Sequence, residues 1–105
     1  MERRRLQRPY EITVGVIDGS TVVATSGELD IAAEDDLANA LVEARRHGAS
    51  VIIDLRDTRF IDASTVDVLF REHQAGTGLI AQGARGEPRR VLEIVNAPAW
   101  MDVTD

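Results

Sequence analysis

Residues Val51 to Leu55, VIIDL, narrow the possible folds more than any other segment. The run is nearly continuous in apolar character and rich in β-branched side chains, the pattern of a strand buried on both faces. A helical segment precedes it, from about Ala32 to His47, with Leu37, Ala40, Leu41 and Ala44 at helical spacing. A strand reached through a helix implies a parallel partner and a crossover connection. That combination places the chain among α/β architectures.

The flanking segments fill in the order. Ile12, Val14 and Val16 alternate with Thr13 and Gly15, which predicts a half-buried strand from Tyr10 to Ile17. Asp18-Gly19 follows, and both residues tolerate positive φ, so a tight hairpin into STVVATS is expected. Glu34, Asp35 and Asp36 open the first helix, and Arg45 and Arg46 close it before Gly48, a polarity that suits the helix dipole. After VIIDL, a polar stretch RDTR leads to Phe60-Ile61. A second helix is predicted from about Ser64 to Gln74, with Val66, Leu69, Phe70 and His73 on one side. LIAQG reads as a short strand, and a last helix runs from Arg89 to about Asn96 behind Pro88. The predicted order is β-β-α-β-α-β-α, a mixed four- to five-stranded sheet packed with helices, one hairpin edge and the remainder parallel.

Composition limits the function. The 105 residues suit one domain, and an apolar fraction of 44% supports an ordinary core. An arginine-rich tail over residues 1–9 is expected to be solvated, with the folded domain over residues 10–105. Beyond the first ten residues, eight arginines face seventeen carboxylates, and no lysine is present. An acidic body opposes sequence-independent nucleic-acid binding, which needs basic charge to displace counterions. No apolar run approaches a membrane span, and MERRRLQRP lacks the apolar stretch of a signal peptide. The absence of cysteine excludes disulfides, thiolate metal sites and a cysteine nucleophile, and it fits a reducing cytoplasm. Nothing in the sequence suggests an obligate assembly, so a monomer or weak dimer is expected.

Catalytic constellations are not evident. His47 and His73 lack metal-ligand spacing; the first suits a helix C-terminus, and the second suits packing on the inward side of its helix. Asp35 and Asp36 point to different helix faces. The glycines of GTGLIAQGARG match no phosphate loop. Trp100, the sole tryptophan, is expected to cover the core near the C-terminus. The reading is a binding protein, not an enzyme, with no cofactor and no metal.

Ser64 stands out, with Thr65 beside it. Ser64-Thr65-Val66-Asp67 matches a capping box, in which Ser64 would accept from a backbone N–H three residues on, and Asp62 is an alternative cap. A serine at a helix start is also a good phosphate acceptor. Free N–H groups and the positive end of the dipole meet the new charge there.

Three stretches, GELDIAAEDDLANAL, VIIDLRDTRFIDASTVDVLF and RRVLEIVNAPAWMDV, resemble the STAS domain of bacterial anti-sigma factor antagonists. The resemblance runs from about Tyr10 to Val103 and implies a STAS-like single domain. It implies a small cytoplasmic switch that binds an anti-sigma factor, often itself a serine kinase, and so releases a sigma factor for transcription. The kinase phosphorylates a serine at the start of the second helix, and a phosphatase resets it. The matching residues here are Asp62, Ala63, Ser64 and Thr65, with Ser64 the implied phosphoacceptor, Thr65 the lesser candidate, and Asp30 of GELD the other aspartate of the docking surface. Nucleotide and Mg²⁺ would belong to the kinase. Thr65 stands where the family pattern has glycine, so a β-branched side chain and a second hydroxyl are expected where a partner approaches. Asp67 lies one turn on. The alternative is a STAS interaction module in a signalling assembly that is not phosphorylated at Ser64.

Overall fold

The computed structural model describes residues 9–48 and 50–105. The expected arginine tail therefore lies outside the described residues, apart from Pro9. Five strands and three α-helices follow in the order β1 (Tyr10–Ile17), β2 (Ser20–Leu29), α1 (Glu34–Arg45), β3 (Ser50–Ile61), α2 (Ala63–Gln74), β4 (Gly78–Gln82), α3 (Glu87–Ile94) and β5 (Asp102–Thr104). Short 3-10 turns at Ile31–Ala33 and Ala97–Ala99 precede α1 and β5.

The hairpin forms where Asp18-Gly19 places it. Asp18 and Gly19 have φ of 52° and 81°, the paired positive values that match the right-handed twist of the strands. β1 pairs antiparallel with β2, and β2, β3, β4 and β5 then pair in parallel in chain order. This is the mixed sheet with one hairpin edge expected above, with β5 as an added edge strand.

One cluster forms the core. Leu37, Leu41 and Ala44 of α1, Val68 and Leu69 of α2, and Leu92 of α3 pack with Val51, Ile53 and Leu55 of β3. VIIDL is not buried on both faces. Val51, Ile53 and Leu55 are buried, while Ile52 and Asp54 between them are only half-buried. One face of the sheet carries the core and the other stays partly open.

RDTR does not end the third strand. β3 continues through it for twelve residues, but its inward positions change from every second residue to every third: Leu55, Thr58, Ile61. The register explains the change. Between Ala24 and Ser26 of β2, the paired positions on β3 advance from Asp54 to Asp57; between Gly27 and Glu28 they advance from Thr58 to Phe60. Each step inserts one extra residue into β3, a β-bulge that breaks the alternation. The exposed pairs Arg56-Asp57 and Arg59-Phe60 sit at these bulges.

On α2 the buried residues are Thr65, Val68 and Leu69, so the inward face is offset from the expected Val66, Leu69, Phe70, His73 stripe. Phe70 is 38% exposed. It packs edge-on against Trp100, with ring centroids 5.0 Å apart, and His73 lies 5.7 Å from the same indole. Trp100 thus covers the flank of α2, as a core-covering residue should, and His73 sits among aromatic rings.

Candidate functional site

The site grows out of the strand register. Leu29 and Ile61 are partners at the ends of β2 and β3. The next residue of each strand is an aspartate, so Asp30 and Asp62 leave the sheet side by side. Their backbones are separated by roughly the 4.8 Å between neighbouring strands. Both are extended, with φ of −121°, and both cap the turn that follows. The Asp30 carboxylate accepts from the Ala32 N–H at 2.9 Å. The Asp62 carboxylate accepts from the N–H groups of Ser64 and Thr65 at 3.0 and 3.2 Å.

Asp62, not Ser64, is therefore the N-cap of α2, and the capping box of Ser64 and Asp67 does not form. Extended backbone at position 62 aims its carboxylate back at the first free N–H groups, and an ionised carboxylate is a stronger acceptor than a hydroxyl. Ser64 already lies inside the first turn. Its Oγ donates to the Asp62 Oδ1 at 2.6 Å, so one carboxylate oxygen takes the hydroxyl and both amides. This short charge-assisted bond fixes the hydroxyl and leaves the oxygen lone pairs facing away from the carboxylate. Ser64 is half-buried and Ala63 beside it is exposed.

Thr65 does the reverse of what its β-branched chemistry suggested. It is 2% exposed, and its Oγ1 donates to the Leu29 carbonyl at 3.0 Å. It ties the first turn of α2 to the end of β2 and presents nothing to a partner. Asp67 is exposed.

Two exposed apolar residues that periodicity did not single out lie beside the two aspartates in the chain. Ile31, directly after Asp30, is 74% exposed, and Phe60, two residues before Asp62, is 39% exposed. Their signal is an apolar residue off the periodic pattern: Ile31 lies before the first helical repeat, and Phe60 lies on a bulge. Exposed apolar residues beside a polar centre suit an interaction surface better than a catalytic pocket.

His47 lies exposed at the end of α1, away from this surface. Among the described residues, no group of three His, Asp or Glu side chains is placed to hold a metal ion, and no helix is long and apolar enough to cross a membrane.

Comparison with known proteins matches the fold. An anti-sigma factor antagonist from Mycobacterium paratuberculosis superposes with a TM-score of 0.81 at 24% identity, covering 94% of this chain and 90% of that one. The anti-sigma factor antagonist SpoIIAA in its unphosphorylated form gives a TM-score of 0.66 at 18% identity, covering 90% and 88%. The Bacillus cell fate determinant SpoIIAA in its phosphorylated form gives 0.64 at 22%, covering 90% and 92%. These likenesses share the fold. A search of curated proteins returns no significant match. The STAS domain family, as a sequence pattern, matches residues 11–103. With nearly the whole described chain inside that match, the protein belongs to the STAS domain family.

Proposed function

We propose that this protein is an anti-sigma factor antagonist, that its docking surface is centred on the first turn of α2, and that phosphorylation of Ser64 switches docking off. The observation that carries the proposal is the Ser64 hydroxyl itself, half-buried at a helix start and oriented by Asp62 at 2.6 Å. Asp30, Ile31, Phe60, Asp62 and Ala63 surround it as the contact surface, and Thr65 supports it from below. The three neighbours named above are anti-sigma factor antagonists or SpoIIAA, and SpoIIAA has been solved in both phosphorylation states.

The chemistry balances without a cofactor on this chain. The Ser64 oxygen attacks the terminal phosphorus of ATP held by a serine kinase, which is the anti-sigma factor itself or its companion. The O–P bond forms, the bond to the ADP oxygen breaks, and the hydroxyl proton passes to Asp62 or to a kinase base. The product carries nearly two extra negative charges beside Asp62. Its hydroxyl hydrogen is gone, so the bond to Asp62 becomes a repulsion. A docking surface that accepted a neutral hydroxyl then faces a dianion, in a chain already at net charge −6. A phosphatase restores the neutral surface.

Intact mass and peptide mapping of the protein from its native host test this directly. One phosphate on Ser64, absent in Ser64→Ala, is the expected result, and Ser64→Ala retains partner binding while Ser64→Asp loses it. A phosphate on Thr65 instead would contradict its burial. The exposed Asp67, one turn along α2, favours a second reading, a STAS interaction module without phosphorylation at Ser64. Absence of phosphate under all growth conditions selects that reading.

A further inference from the structure

The β3 bulges also build a second surface. Arg56 and Arg59 stand on one wall of an open cleft of about 570 Å³, and Arg85 and Gly86 of the β4–α3 turn stand on the other. The cleft runs on into a second hollow of about 370 Å³ that shares Arg56 and Arg85 and adds Arg89. Eight arginines lie beyond the first ten residues, and four of them line this one groove in an otherwise acidic chain.

The groove is built, not incidental. The Asp54 carboxylate grips the Arg56 Nε and Nη2 at 2.7 to 3.1 Å, and the Arg56 stem lies where a Cβ on Gly83 would collide with it. Arg56 is thus held in place with its Nη1 outside that fork. Arg85 has no ion pair or hydrogen bond among the described residues. The Arg59–Glu28 pair is long, at 3.9 Å, and both side chains are exposed. Arg89 is held by Asp105 at 2.8 Å and by Glu93 at 3.3 Å, so the available guanidinium donors are those of Arg85 and Arg59 and the Nη1 of Arg56.

Its lining also selects the ligand. Among the described residues that line it, none is aromatic for a base to stack on, which disfavours a nucleotide. Asp57, Glu87 and Asp105 line it too, and they repel a compact polyanion. Carboxylates spaced along an extended chain meet the arginines in planar, two-point fashion and avoid the acidic positions. Arg59 lies three residues before Asp62, about 10 Å along the strand, with exposed Phe60 between them. We propose that this groove receives the carboxylates of an acidic, extended segment of the anti-sigma factor and aligns that partner on Ser64; the identity of the partner rests on the antagonist reading above.

The test uses the whole ¹⁵N-labelled protein at low salt, titrated with a blocked hexapeptide of alternating glutamate and aspartate. The expected result is saturating amide shifts at Arg56, Arg59, Arg85 and Gly86. Arg85→Ala weakens the peptide about tenfold, and Arg46→Ala, on the exposed end of α1, leaves it unchanged. Absence of shifts overturns the proposal, as do shifts spread equally over Arg46 and Arg71. Pyrophosphate that saturates the same amides more tightly than the peptide overturns it in favour of a small-anion site. The titration contains no kinase and no anti-sigma factor. Its failure leaves the Ser64 switch standing, and a Ser64 that is never phosphorylated leaves the groove standing.

Discussion

The two halves of β3 differ in kind. From Val51 to Leu55 the strand alternates strictly, and its inward side chains are nearly inaccessible. From Arg56 to Ile61 two bulges stretch the inward spacing to three residues and push two exposed residues outward between each buried pair. The regular half holds the core together. The bulged half supplies Phe60 to the Ser64 surface and Arg56 and Arg59 to the groove. A bulge gives a strand more outward-facing positions per unit length than alternation allows, and it aims them away from the sheet normal. Here the surface proposed for recognition is carried by the part of the strand that gives up regularity.

The largest expected contrast follows from that division. Ile53→Ala, in the regular half at 1% exposure, removes a fully buried side chain and should cost about 2–5 kcal/mol in chemical denaturation. Phe60→Ala, in the bulged half, should change stability by no more than about 1 kcal/mol, because the ring is already partly in water. It should weaken partner binding instead. Equal losses of stability from both substitutions would erase the division.

The same division governs what the sequence discloses. The hairpin was legible because Asp18-Gly19 is a local signal, and VIIDL was legible as a strand from its β-branched run, though not as one with a half-open face, since Ile52 is apolar on either reading. The second half of β3 was not, since a period of three inward positions imitates neither strand nor helix. β5 was missed because it has three residues, only one of them apolar, and exists by pairing with β4. Asp62 and Ser64 were both visible as caps two residues apart. Backbone conformation decided between them, and composition does not report it. The family resemblance pointed to Ser64, but not to the burial of Thr65, which depends on where the Leu29 carbonyl ends. The arginine groove was invisible because its two walls lie nearly thirty residues apart in sequence.

A smaller effect tests whether the bulged half also has an inside. Thr58 is its central inward residue, and its hydroxyl pairs with that of Thr25 at 2.6 Å, both buried. Thr58→Val leaves the Thr25 hydroxyl without a partner in an apolar setting and should cost about 1–3 kcal/mol. Thr25→Val with Thr58→Val together should recover most of that loss, since the two groups then bury without an unmet hydrogen bond. If the double variant is as weak as the sum of the singles, the pair is not coupled and the bulged half is held by other contacts.

At the end of β3, Asp62→Ala should cost about 0.5–2 kcal/mol by removing the cap of α2. Asp62→Asn should come close to wild-type stability, because asparagine caps about as well. The two variants separate the cap from the charge. Ser64 loses its charged acceptor in both, so a phosphorylation rate that falls in both, while stability falls only in Asp62→Ala, assigns Asp62 a role in orienting the hydroxyl. A rate that follows stability instead leaves Asp62 a cap and nothing more.

The smallest effect lies at the junction of the two halves. Asp54 is the last residue of the regular alternation on the half-open face, and it grips Arg56, the first residue beyond it. Hydrogen bonds from Arg56 hold the Asp54 carboxyl below its ordinary value, against the opposing effect of partial burial. A carboxyl with a depressed folded pKa stabilises the fold above its unfolded pKa, near 4, and loses that contribution as pH falls through the folded value. Asp54→Asn should therefore be slightly less stable than wild type at pH 7, by an amount limited by the exposure of Arg56 to solvent. The gap should stay constant above about pH 5 and narrow below about pH 4, read from urea melts across that range. A gap that does not narrow in acid would mean that the ion pair contributes nothing at the junction. Arg56 would then be placed by the bulge and by the space over Gly83 alone, with its guanidinium wholly free for the groove.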